Sequence, residues 1–180
     1  GADVLPLAIS AAGALLQYVR DTQKSALPHI RSIRVEERDD ALQIDAATRR
    51  NLELDTHLID LLDVAATPMG SRALRRWVGR PLTDQTVLRS RYHAIGALLD
   101  SRRYESLREA LGNIGDIERI LARVALRSAR PRDLTGLRAS IGALPGLRAA
   151  LAPIDSPLLA SLTADIGEHG EVHALLERAI

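Results

Sequence analysis

Apolar residues recur along most of the chain at helical spacing, with one short stretch that changes period. Ala8, Ala11, Ala12, Leu15, Leu16 and Val19 fall on one stripe, with Gln17, Arg20 and Asp21 off it, which predicts an amphipathic helix with a small-residue face ending before Pro28. Ile33, Val35, Leu42 and Ile44 then alternate with Arg34, Glu36 and Gln43 around the polar run Arg38, Asp39 and Asp40. A period of two on either side of a polar turn predicts a short β-hairpin. Asp45 opens DAATRRNLEL, where its carboxylate can accept orphan backbone N–H groups while Arg49 and Arg50 suit the C-terminal end of a short helix.

From about Leu58 the pattern is almost wholly helical. Thr67, Pro68, Met69 and Gly70 interrupt it, after which Ala73, Leu74, Trp77 and Val78 form an apolar face opposite Arg72, Arg75, Arg76 and Arg80, until Pro81 stops the helix. Trp77 is expected to be buried there with Leu74 and Val78, and Trp77, Pro68 and Gly70 are read as structural residues. Leu88, Tyr92, Ile95 and Leu99 make one row, and Leu134, Leu137, Ile141 and Leu144 another; such rows call for partner helices. Further faces come from Ile117, Ile120, Leu121 and Val124, from Leu158, Leu159, Leu162 and Ile166, and from Val172, Leu175, Leu176 and Ala179. Pro131 and Pro157 suit first helical turns and Gly167 a C-terminal cap. The fold class predicted is mainly α, with a small β-hairpin near the N-terminus.

Composition narrows the chemistry. With three tyrosines, one tryptophan and no phenylalanine, the core of this chain must be built from Leu, Ile, Val and Ala, and few rings are left to stack on bases. There is no cysteine, which removes disulfides, thiolate metal sites and cysteine nucleophiles. No uncharged apolar run approaches the length of a membrane span. GADVLPLAIS lacks the basic-then-apolar order of a signal peptide, so a cytoplasmic setting is the expectation. Net charge is only +1, and Lys24 is the sole lysine among 24 basic residues.

No catalytic, cofactor-binding or metal-binding residue is assigned. A P-loop needs GxxxxGK[ST], which is absent, so the segment is not a complete ATPase. The histidines are scattered, and His169 with His173, though spaced to share a helix face, lack a third ligand. Asp39 with Asp40 and Asp116 with Glu118 are acid pairs of the kind that turns and helix starts hold for backbone reasons. Arg119, Arg123, Arg127 and Arg130 recur at helical intervals, and a continuous helix through them would hold a row able to meet phosphates. The same row also reads as a solvated or interdomain face.

The strings LPHIRSI, DAATRRNLEL, LLDVAATPMGSRALRRWVGRPL, YHAIGALL and IGDIERILARVALRSARPRDL resemble, in order and spacing, the core region of the MutS family of DNA mismatch-repair proteins. The resemblance covers nearly the whole chain. It implies that residues 1–24 are the C-terminal end of a connector domain and 25–180 the first part of the core or lever domain, ending before the clamp insertion. The stretch between Glu53 and Leu61 is shorter than the family's usual loop. The mismatch-reading domain, the clamp and the C-terminal ATPase of the family are not in this sequence. The resemblance further implies a longer homodimeric protein that holds ATP and Mg²⁺, meets mismatched double-stranded DNA through other domains and recruits a MutL-type protein. Within it this segment is expected to be a structural and allosteric lever. Two other readings are a nonspecific nucleic-acid-binding helical module and a free-standing helical protein-interaction domain.

Overall fold

The computed structural model describes residues 5–23, 30, 32, 35 and 41–180. Helix α1 (Pro6–Gln23) stands first, and Leu7, Leu15 and Tyr18 on it are exposed while Ala12, Leu16 and Val19 are half-buried. Pro28, Ile33, Arg34, Glu36 and the expected hairpin turn at 38–40 lie outside the described residues. No strand is found among the described residues, and Val35, Leu42 and Ile44 belong to none, so the hairpin is not supported. Ala41 instead forms an isolated antiparallel bridge with Leu82, and the Leu42 N–H donates to the Pro81 carbonyl at 2.8 Å.

Two short helices follow, α2 (Ala46–Asn51) and α3 (His57–Leu62). Asp45 caps α2 as its position predicts, accepting from the Ala47 and Thr48 N–H groups; the Thr48 hydroxyl, which donates to it at 2.6 Å, and then those N–H groups hold its carboxyl below the ordinary range. Helix α4 (Pro68–Gly79) begins where the sequence suggested an interruption. Thr67 is its N-cap, Pro68 takes the first turn, where a missing N–H costs nothing, and the Thr67 hydroxyl accepts from Gly70 N–H at 3.0 Å. A Cβ on Gly70 would stand 3.2 Å from both Ala65 Cβ and Thr67 Oγ1, so a side chain there would press on the cap.

The body is made by α5 (Gln85–Asp100), α6 (Tyr104–Gly112), α7 (Ile117–Ala125), α8 (Pro131–Leu151), α9 (Pro157–Asp165) and α10 (Gly170–Ala179). Helix α8, about 30 Å long at 1.5 Å per residue, packs against α6, α7, α9 and α10. Its row behaves as predicted: Leu137 and Ile141 are buried, and Leu134 and Leu144 are packed against them or their neighbours. Two clusters meet along it. Ile120, Leu137, Ile141 and Leu176 form one, and Leu107, Ile114, Leu147 and Ile154 the other, with Ile117 packed against both. Between them Ser140, 1% exposed, accepts a hydrogen bond from Gly115 N–H at 2.9 Å and donates to Gly136 O at 2.7 Å, so its hydroxyl is satisfied on both sides.

Pro131 and Pro157 sit in first turns as expected. Gly167 follows α9, yet its backbone is not left-handed; that conformation falls on His169 (φ 48°), and a Cβ on Gly167 would come within 2.8 Å of the His169 ring. Close packing, not backbone freedom, is what this glycine provides.

The row Leu88, Tyr92, Ile95 and Leu99 departs from expectation. Helix α5 turns Ala94, Ala97 and Leu98 to the core, whereas Tyr92, Ile95 and Leu99 are exposed and Leu88 is half-buried. Small alanines let the helix lie close, and the larger side chains are left outside. Ile141→Ala is therefore expected to cost about 2–5 kcal/mol in urea unfolding, since it opens a cavity where two helices meet α8. Ile95→Ala on the outer row is expected to change stability by less than about 1 kcal/mol.

Candidate functional site

Several ion pairs lie where helices meet. Arg72 on α4 reaches Asp116 at the start of α7 with two bonds, NH1 to Oδ2 at 2.8 Å and NH2 to Oδ1 at 2.6 Å, and also meets Glu118 at 2.7 and 3.2 Å. The planar guanidinium fits this fork as a lysine would not. Asp116 also caps α7 by accepting from Arg119 N–H at 3.2 Å. The Arg72 guanidinium, and to a lesser extent that N–H, holds the Asp116 carboxyl below its ordinary range.

The other joints repeat the device. Arg49 on α2 pairs with Asp55 at 2.6 Å and donates to the Gly79 carbonyl, also at 2.6 Å, at the C-terminal end of α4. A Cβ on Gly79 would stand 3.1 Å from that guanidinium. Asp63 accepts from the Ser71 hydroxyl at 2.9 Å and lies 3.7 Å from Arg75, and Arg148 meets Glu168 at 3.1 Å.

The predicted arginine row is divided. Helix α7 stops at Ala125, Arg127 takes a left-handed backbone (φ 53°), and Arg130, whose ψ of 159° suits the residue before a proline, precedes α8 as its N-cap. Arg119 and Arg123 thus lie on one helix and Arg127 and Arg130 on the connection to the next. Arg123 donates to Asp133 at 2.6 Å, and Asp133 accepts from Arg130 N–H at 2.9 Å. That N–H first, and Arg123 with it, holds the Asp133 carboxyl low.

Trp77 corrects the expected burial. It is 51% exposed, with the Arg91 guanidinium of α5 over its ring, 3.9 Å from the centroid, while Leu74 and Val78 are only half-buried. The chain tucks α4 in through its capped start and its arginines, so the ring that pattern alone would place inside stacks on a cation at the surface.

Beside these joints an apolar groove of about 520 Å³ is lined by Val64, Leu98, Leu107, Leu147, Leu159 and Ile166 among others, with Tyr104 and Arg108 as its polar members. Arg108 donates to the Val64 carbonyl and so ties the 63–66 segment over α6. The lining holds no carboxylate or histidine.

The carboxylates Asp63, Asp116 and Asp133 face arginines, no three His, Asp or Glu converge among the described residues, and Asp39, Asp40 and Lys24 lie outside them. His169 precedes α10, and His173 packs where a Cβ on Gly142 would be 3.0 Å from its Nε2.

Groups arranged in this way hold helices together, which makes the molecule a helical scaffold. The MutS domain III family model matches residues 47–180, and the chain belongs to that family. The matched stretch starts in α2 and runs through every helix after it. Membership gives the chain a MutS-type mismatch-repair role, domain III being a non-catalytic domain of a mismatch-repair ATPase family. No helix searched among the described residues is long and apolar enough to cross a membrane.

The Arg72 clamp has no counterpart in the sequence pattern: Asp116 and Glu118 read there as an acid pair held at a helix start for backbone reasons, whereas their cation lies 44 and 46 residues away. The visible signal was Gly-Asp-Ile-Glu at a helix start, which marks a cap but not its long-range cation.

Asp116 and Asp133 titrate lower in the folded chain than unfolded, so the folded state binds fewer protons. Their contribution is expected to be complete above the ordinary carboxyl range, near pH 4, and to vanish as pH falls through their lowered folded values. Arg72→Ala should lower the melting temperature at pH 7 and narrow its gap to the wild type under more acid conditions, read from paired thermal melts. Trp77→Ala is expected to cost no more than about 1–2 kcal/mol, and the folded wild type to emit at wavelengths typical of water-exposed indole.

Proposed function

We propose that this chain is the structural and allosteric lever segment of a longer MutS-type mismatch-recognition ATPase, coupling DNA-binding and ATPase domains that lie elsewhere in that protein. In this reading residues 1–24 end a connector domain and 25–180 begin the core. ATP and Mg²⁺ are held by another domain, mismatched duplex is met through others, and a MutL-type protein and a second copy are the partners, in a cytoplasmic setting. The observation that carries the reading is α8: one 21-residue helix on which four others pack, spanning both apolar clusters. Such an element can pass a displacement from end to end because its neighbours cannot shift independently of it. The arginine pairs Arg72–Asp116 and Arg123–Asp133 add support, since they brace α7 to α4 and to α8 without consuming substrate-facing chemistry. Division of the Arg119–Arg130 row favours this scaffold reading over a phosphate-binding helix.

The test is made in the full-length dimer. Ala139 is exposed on α8, so Ala139→Pro removes an interior hydrogen bond and clashes with the preceding turn, at roughly 3 kcal/mol or more, without touching the packed row. Mismatch-bound lifetime with and without ATP, and ATP turnover with and without mismatched DNA, are compared with the wild type. Each site should keep its own binding while most of the mutual influence, typically about 5–150-fold in coupled systems, is lost. A folded, dimeric variant with a broken α8 and unchanged coupling in both directions would sink the lever reading.

A further inference from the structure

The outer row of α5 is exposed from Tyr92 to Leu99. Tyr92 (69%), Ile95 (50%) and Leu99 (58%) face solvent at successive helical turns, and the half-exposed Trp77 of α4 extends the patch sideways, fixed there by Arg91 at 3.9 Å. At about 100° per residue Arg91 borders one edge of this row and Arg89 the other. Neither guanidinium has a carboxylate partner among the described residues. Of the nearby acids, Asp84 is bound to the Thr86 and Val87 N–H groups as the cap of α5, and Asp100 lies at the far end of the helix. The result is a ridge of Trp, Tyr, Ile and Leu between two arginines, a composition typical of energetic centres in protein interfaces.

From this arrangement we infer that the α4–α5 ridge is a docking surface for an acidic amphipathic helix of a partner protein. The apolar row has the i, i+3, i+7 spacing that packs against a second helix, which explains the partner; the arginines on both edges, Arg89 free of any carboxylate among the described residues and Arg91 stacked on Trp77, select carboxylates flanking the partner's own apolar stripe. Duplex DNA satisfies only half of the surface, because phosphates offer Ile95 and Leu99 nothing to pack against. The inference stands apart from the lever reading, since it concerns the solvent-exposed face of α5, a helix not among the four that pack on α8.

Trp77, the chain's single tryptophan, reports directly on occupancy. The 180-residue chain is titrated with a tryptophan-free synthetic helix carrying leucines at i, i+3, i+4 and i+7 flanked by glutamates, and with a twin carrying lysines instead. The glutamate helix should shift Trp77 emission to the blue and bind at least about tenfold more tightly than its twin. Ile95→Ser with Leu99→Ser should weaken it at least about tenfold, and Arg89→Glu with Arg91→Glu should reverse the preference between the two helices. The two-peptide comparison on the wild-type chain does not depend on the folding of any variant. Equal binding of both peptides, no saturable shift, tighter binding of a duplex oligonucleotide that displaces the glutamate helix, or self-association that shifts the emission without peptide would each overturn the inference.

Discussion

The described fold depends on the simultaneous burial of α8 in two apolar clusters. Its N-terminal half contributes Leu137 and Ile141 to the cluster shared with α7 and α10, and its C-terminal half contributes Leu147 to the cluster shared with α6 and Ile154. Neither cluster is large, and aromatic side chains play almost no part in them, so their stability comes from close contact between Leu, Ile and Ala side chains. A single helix, α8, contributes to both. Pro145 stands between Ile141 and Leu147, where it removes one N–H from the ladder. Packing on both sides, together with the Ser140 hydroxyl that ties α8 to Gly115, opposes bending at that point.

Around this body the ion pairs act as joints. Asp116 and Asp133 each do two things at once, accepting a backbone N–H at a helix start and meeting an arginine from another element. A carboxylate already held by its own backbone loses little further freedom when the cation arrives, which is why a partly exposed pair can still be well ordered. The chain's reliance on arginine follows the same logic, because forked geometry allows Arg72 to grip two carboxylates and Arg49 to grip Asp55 and the Gly79 carbonyl together.

Much of the architecture was legible in the residues. Asp45 as a cap, Pro131 and Pro157 in first turns, and the buried row from Leu134 to Leu144 follow from local rules that the fold obeys. The misreadings share a cause. Periodicity tells which side chains share a face, but not what covers that face: it places Trp77 inside and gives the Tyr92–Leu99 row a partner helix, whereas Trp77, Tyr92, Ile95 and Leu99 are all exposed. The arginine row was drawn through Arg130 although Pro131 restricts the residue before it, and the alternation at Leu42 and Ile44 belongs to no strand. The long-range Arg72 clamp left no local trace beyond an N-cap signal.

The central claim is that α8 joins both clusters into a single stiff unit, and native-state hydrogen exchange tests it most directly. The account predicts that amides of α8 on both sides of Pro145, and those around Leu107, Ile120 and Leu176, exchange through one common opening with the same free energy and the same denaturant dependence. If the amides near Leu137 and Ile141 open separately from those near Leu147, with distinct free energies, α8 is a hinge between two independent parts and the account is contradicted.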